Sequence, residues 1–148
     1  MFGMKFLCVD HGNARIGVAV SDPTGSLARP FRIVKHTSRN EDALGIAKIA
    51  VEEGCQVIVV GLPLDADGSI GVRARSVNRF IEELRNHTEA SVIAWDESHS
   101  TQQALQASIL RGEGKKKRQG AIDDQAAAVI LQDYLDSHNS QVNDEVKF

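Results

Sequence analysis

Two stretches of this chain, "KFLCVD" (residues 5–10) and "CQVIVVG" (55–61), are apolar almost without a break and very short. An amphipathic helix or a half-exposed strand shows polar residues at its own period, and neither stretch does. Strands buried on both faces read this way, as in the middle of a parallel sheet held between helices. The need for two covering layers selects an α/β architecture.

The rest of the chain supplies those layers. "RIGVAVSD" (15–22) and "RPFRIVK" (29–35) follow the first run after short polar breaks, the second being Pro23-Thr24-Gly25-Ser26, which predicts a three-stranded antiparallel meander. Over 39–53 the period changes. Leu44, Ala47 and Val51 fall at i, i+3 and i+7, and Gly54 follows as a helix C-cap. Val77, Phe80, Ile81 and Leu84 mark a second helix, and "SVIAWDE" (91–97) reads as a fifth strand. A helix carrying Leu105 and Ile109 is expected over 99–111, a Gly- and Lys-rich loop over 112–120, and a last helix from about 122 to 136. Crossovers place new parallel strands beside the first, so the expected fold is one five-stranded mixed sheet, order 3-2-1-4-5, with helices on both faces. Residues 1–138 would form a single domain and 139–148 a flexible polar tail.

Composition removes several functional classes. A chain of 148 residues with 42% hydrophobic side chains is long enough for one real core. Cys8 and Cys55 both sit inside apolar runs and read as small core residues, which argues against a disulfide framework or a metal knuckle. No charged start leads into a long apolar segment, and no run nears the roughly 18 apolar residues of a membrane span. A cytoplasmic protein, monomeric or weakly dimeric, is expected. The net charge of −3 excludes a uniformly basic nucleic-acid binder but not a local cluster, and Lys115-Lys116-Lys117-Arg118 is one.

In open sheets of this kind, ligands gather beyond the carboxyl ends of the parallel strands. Asp10 closes the first strand, the loop "GLPLDADGS" follows the fourth, and Asp96-Glu97 close the fifth. On this reading Asp10 and Glu97 occupy adjoining strand ends and face one pocket. Each acid also has a plainer explanation. Asp10 suits a turn, Glu97 suits the first turn of the next helix, and Asp96 or Ser98 could cap it. Asp123 and Asp124 likewise suit a helix N-terminus, and the helical wheel does not choose between them. Asp123 shares a direction with Ile130 and Tyr134, Asp124 with Leu131 and Leu135. His11 and His99 each lie beside such acids, but their spacing fits no usual zinc pattern. In the loop, Gly61, Gly68 and Gly71 would let backbone N–H groups approach a phosphate, with Arg73 and Arg75 opening the next helix.

Four segments, "VDHGNARIGVAVSD", "VVGLPLDADGSIGVRARSVNRF", "WDESHST" and "AIDDQAAAVILQDYLD", resemble the motifs of the YqgF/RuvX family and stand in that family's order over roughly residues 4 to 136. The resemblance implies an RNase H-like fold and a metal-dependent nuclease that processes the 5′ end of precursor 16S rRNA, or a resolvase of branched DNA such as Holliday junctions. Carried over by position, the family's acidic residues fall on Asp10, Glu97 and Asp123, which become the implied catalytic and metal-binding set for Mg²⁺ or Mn²⁺. Arg15, Gly68, Arg73 and the run Lys115, Lys116, Lys117 and Arg118 become the implied nucleic-acid contacts. Two positions depart from the family: Ser98 follows the Asp-Glu pair where an arginine is common, and Ala14 stands where a basic residue is usual. Both losses weaken the expected grip on phosphate without touching the implied ligands.

The chemistry gives converging carboxylates a reason. Phosphodiester hydrolysis needs an activated water and shielding of the attacking and leaving oxygens, which a pair of Mg²⁺ ions about 4 Å apart supplies. Mg²⁺ takes hard oxygen ligands and keeps several waters, so three or four carboxylates suffice. Two other readings compete. The D-x-G turn followed by "RIGVAV" also resembles the phosphate hairpin of actin- and sugar-kinase-like ATPases, which need two such lobes where this length provides one. A non-catalytic nucleic-acid-binding module, with structural acids, is the other.

Overall fold

Alternation along the first strand organises everything else. In the computed structural model, which describes residues 4–97 and 125–139, β1 (Phe6–His11) directs Leu7 and Val9 to one face of a sheet and Phe6 and Cys8 to the other. β1 pairs antiparallel with β2 (Arg15–Ser21), and β2 pairs antiparallel with β3 (Ala28–Lys35). β4 (Val57–Leu62) joins β1 in parallel, and β5 (Ser91–Asp96) joins β4 in parallel. The order β3-β2-β1-β4-β5 is the one the sequence predicts.

Sequence explains which strands sit centrally. Val57, Ile58, Val59 and Val60 are all buried, as required of a strand flanked by neighbours and covered on both faces. β3 is an edge strand that is buried little and contains Pro30, whose missing N–H is tolerated where no further strand lies beyond. The register of β2 and β3 shifts between Val18 and Ala19, next to that proline.

Helices α1 (Arg39–Glu53) and α2 (Val72–Arg85) cover the face carrying Leu7, Val9, Ile16, Val18, Ile58 and Val60. A helix over 125–139, α3, covers the other through Ala127, Ile130, Leu131, Tyr134 and Leu135. Burying each large aliphatic or aromatic side chain contributes roughly 1.5–3 kcal/mol. The start of α1 is fixed by Ser38, whose hydroxyl accepts from Glu41 N at 3.2 Å, and its end by Gly54 at φ 69°. Val77, Phe80, Ile81 and Leu84 form the buried stripe of α2, as expected.

Three expectations are corrected. The face of α1 is not Leu44–Ala47–Val51, since Leu44 and Val51 are exposed while Ala43, Ile46, Ala47 and Ala50 pack inward. Both stripes satisfy helical spacing, and the small side chains of the second let α1 lie close to the sheet. The last helix continues past 136: His138 stacks on Tyr134 with ring centroids 5.7 Å apart, and Asn139 donates to Gly25 O at 3.1 Å. These anchors hold a polar turn that sequence alone assigns to fraying. Residues 137–139 are therefore helical. The third correction concerns the strand ends and belongs to the site. The expected helix at 99–111, the loop at 112–120, the start of the last helix and the tail from 140 lie outside the described residues. Among the described residues, no helix is long and apolar enough to cross a membrane.

Candidate active site

Continuing the alternation of β1, Asp10 falls on the α3 side and His11 on the α1–α2 side. Glu97 follows β5, its N–H reaching Leu62 O at 3.3 Å. These strand ends do not adjoin: β4 lies between β1 and β5. The carboxylates nevertheless meet, because β4 contributes Gly61 between them. A Cβ built on Gly61 would lie 2.4 Å from Glu97 Oε2 and 3.1 Å from Ile130 Cδ1. The missing side chain is the channel through which Glu97 crosses a strand to reach Asp10.

The electrostatics of that meeting are severe. Burial, the negative charge of Asp10, and a hydrogen bond shared with Asp10 together push the Glu97 carboxyl up to about 8. Arg73 opposes the shift and Asp96 adds to it. Two carboxyl groups can share a hydrogen bond only with a proton between them, so the protein without cations holds that proton near neutral pH. Glu97 Oε2 is buried and has no hydrogen-bond partner among the described residues. Below the pair on the same face, the Cys8 thiol is pushed well up by burial and then by the charges of Asp10 and Glu97, which makes it an inert neutral floor.

Arg73 comes from the first turn of α2 and is held at the mouth by donating from Nη2 to His11 O at 3.2 Å. Arg15 is exposed at the start of β2, on the same edge of the sheet. The glycines of the "GLPLDADGS" loop and its continuation have local tasks in the fold. Gly61 makes room for Glu97. Gly68 takes φ 84° and gives its N–H to Asp65 O at 2.8 Å. Gly71 lies beneath the Asp65 carboxylate, which a Cβ would meet at 2.6 Å. Gly68 is thus a turn glycine whose donor is spent inside its own loop.

Asp123 and Asp124, the basic run Lys115 to Arg118, and His99 lie outside the described residues. What the structure brings together is therefore Asp10, Glu97 and Arg73. Sequence reasoning missed the task of Gly61, although a glycine closing a buried valine-rich strand is itself a signal of close approach. It also missed Asp42, a buried acid on α1 that accepts from Thr37 N at 3.0 Å and contacts both His11 and His36. A divalent cation fits the first of these places. A buried oxygen without a hydrogen-bond partner among the described residues, and oxygen-only donors, suit Mg²⁺ or Mn²⁺ over softer ions.

Comparison with known proteins agrees in family and fold. The family RuvX, described as Holliday junction resolvase, matches residues 4–137. A relative from Anaeromyxobacter sp. (strain Fw109-5), provisionally named a pre-16S rRNA nuclease, is 40% identical over 137 residues, covering 93% of this chain and all of the relative. A relative of the same provisional name from Geobacillus kaustophilus (strain HTA426) is 40% identical over 136 residues, covering 90% of this chain and 99% of the relative. Among solved structures, T. thermophilus RuvC in complex with a Holliday junction substrate superposes with a TM-score of 0.55 at 15% identity, over 91% of this chain and 95% of that one. At that identity the likeness is one of fold.

Proposed function

The chain belongs to the RuvX family, with the RNase H-like fold of the RuvC resolvases, and from that premise we propose that it is a metal-dependent nuclease that trims the 5′ end of precursor 16S rRNA. The observation that carries the reading is the Asp10–Glu97 pair, brought together across Gly61 with one buried oxygen that has no hydrogen-bond partner among the described residues. With both carboxyls ionised, such a buried pair repels itself, and a divalent cation relieves that repulsion as the shared proton does in its absence.

Asp10 and Glu97 would hold the cation, with Asp123 as the third ligand by family position. Bound there, it would supply an activated water and neutralise charge on the phosphate. The chain's own residues set up that chemistry. Asp10 is held by its pairing with Gly17 of β2, directly after residues 6–9, which β4 also pairs. Glu97 keeps a proton at neutral pH in the cation-free protein and gives it up when the pair is engaged as anions. Arg73, tied to the His11 carbonyl, places a positive charge at the mouth, where an incoming phosphate oxygen can pair with it. Arg15 would extend the positive track along which a nucleic-acid backbone is gripped, and the run Lys115 to Arg118, outside the described residues, would add four positive charges to that grip.

Branched DNA is the second reading, favoured by the description of the matching family. Incubating the purified chain and an Asp10→Asn variant with Mn²⁺, on a precursor rRNA fragment and on a four-way DNA junction, separates the two. Cleavage of the RNA at a defined 5′ position, lost in the variant, is expected. Junction cleavage alone would replace the substrate assignment, and cleavage of neither would leave a binding module.

A further inference from the structure

We propose that the opposite face of the same strand end carries a second metal site, for a borderline divalent ion of the zinc and cobalt class, built from His11, His36 and Asp42. Nothing in the carboxylate pair requires it, and it stands or falls independently of the nuclease assignment.

The geometry is specific. His11 Nε2 lies 3.3 Å from Asp42 Oδ2, and His36 Nδ1 contacts that same oxygen. One donor atom from each residue lies within 4.8 Å of the other two. A tetrahedral ion with bonds of about 2.0–2.1 Å sets its ligand atoms about 3.4 Å apart, so only small shifts would admit one. The donors come from three anchored places: the end of β1, the connection after β3, and the first turn of α1.

Their orientation is fixed by a surrounding shell. Asp42 is only 4% exposed, and its other oxygen, Oδ1, accepts from Thr37 N at 3.0 Å and Thr37 Oγ1 at 3.3 Å. That leaves Oδ2 aimed at the two imidazoles, the arrangement that orients a metal-binding carboxylate. The His11 ring packs on Phe80 with centroids 4.5 Å apart and meets the His36 ring edge-on at 5.3 Å. Both histidines also line a cavity of about 230 Å³, with Asn13, Ser38, Arg39 and Ser76 among its walls. That cavity has room for water as a fourth ligand.

Donor chemistry separates the two sites. Two imidazoles and one carboxylate are the ligands of Zn²⁺ or Co²⁺, whereas the oxygen-only pair on the other face suits Mg²⁺. With neutral imidazoles the three donors carry one negative charge, which a divalent ion overcompensates; the excess suits a polarised water or a small anion in the cavity beside Arg39.

The test uses the full chain, treated with chelator and titrated with Co²⁺ alone. One equivalent should bind with the intense visible absorption of a tetrahedral site. His36→Gln should weaken that binding by about 100-fold or more, while His87→Gln and His138→Gln leave it unchanged. X-ray absorption on the zinc-loaded parental protein should count two imidazole ligands, a readout that needs no variant to fold. The proposal is overturned by absence of the absorption band, by undiminished binding in His36→Gln, by equal loss in His87→Gln or His138→Gln, or by fewer than two imidazoles.

Discussion

Glu97 and Asp42 are acids at the same end of the sheet, on opposite faces, and they respond to burial in opposite directions. The Glu97 carboxyl is pushed up to about 8 by burial and by Asp10. Burial would raise Asp42 as well, yet hydrogen bonds from Thr37 N–H and from His36 and His11 outweigh it and hold the carboxyl below the ordinary range. The difference lies in partners: Asp42 has donors on both oxygens, while Glu97 Oε2 has none among the described residues. The fold around Asp42 thus satisfies one buried acid, while around Glu97 the described residues offer one of its oxygens no donor.

The largest effect should come from removing the charge on the unsatisfied side. Glu97→Gln should lower cleavage of a precursor rRNA fragment in Mn²⁺ by about 10²-fold or more while circular dichroism stays parental, because charge stabilisation at the phosphate is lost and shape is kept. A parental rate would show that Glu97 is a structural acid and holds no cation. Next comes Gly61→Ala, whose added methyl occupies the position of the Glu97 carboxylate and presses on Ile130. A misplaced ligand should cost on the order of 10-fold in rate with a folded protein. A lower melting temperature with an unchanged rate would show instead that Gly61 serves only helix packing.

The two acids should also pull stability in opposite directions with pH. Glu97 binds its proton more tightly folded than unfolded, so chelator-treated protein should lose stability as pH rises from about 4.5, the ordinary value, to about 8, by a few °C in melting temperature. Glu97→Gln should flatten that slope, and saturating Mg²⁺ should remove it by holding the pair as anions. Asp42 has the reverse sign, contributing stability above its ordinary value of 3.8 and losing it as pH falls further. A parental slope in Glu97→Gln would break the contrast between the acids. The smallest effect is expected at Arg73, which is exposed and therefore screened. Arg73→Gln should lower the cleavage rate a few-fold, most at low salt, and a salt-independent loss would argue that Arg73 acts through its bond to the His11 carbonyl instead.

Much of the framework was legible because it rests on periodicity. Phe6 to Val9 and Val57 to Val60 could be little else than strands covered twice, and the crossovers fixed their order. Periodicity is silent about which of two stripes packs, hence the choice of Leu44 and Val51 over Ala43 and Ile46. The site was half legible. Asp10 and Glu97 were identifiable from strand ends, but their meeting depends on an absent side chain on an intervening strand, and absences carry no pattern. Asp42 was hidden because a buried acid on a helix looks the same in sequence as one facing water. Of its partners, His36 lies six residues before it, but His11 lies 31 before it and reaches the pair only through the β2–β3 meander.

Trp95 is the only tryptophan in the chain. It sits two residues before Glu97, its Nε1 donates to Asp133 Oδ2 at 2.9 Å, and its ring stands edge-on to Tyr134 at 5.2 Å. Its fluorescence therefore reports from one place, the seam between α3 and β5. Excited alone, this indole should shift its emission to longer wavelength when α3 lifts, and quench or brighten when a cation draws Glu97 and its strand end into place. The protein thus carries its own optical probe beside the carboxylate pair, able to follow helix docking, and the proposed cation binding, without a label.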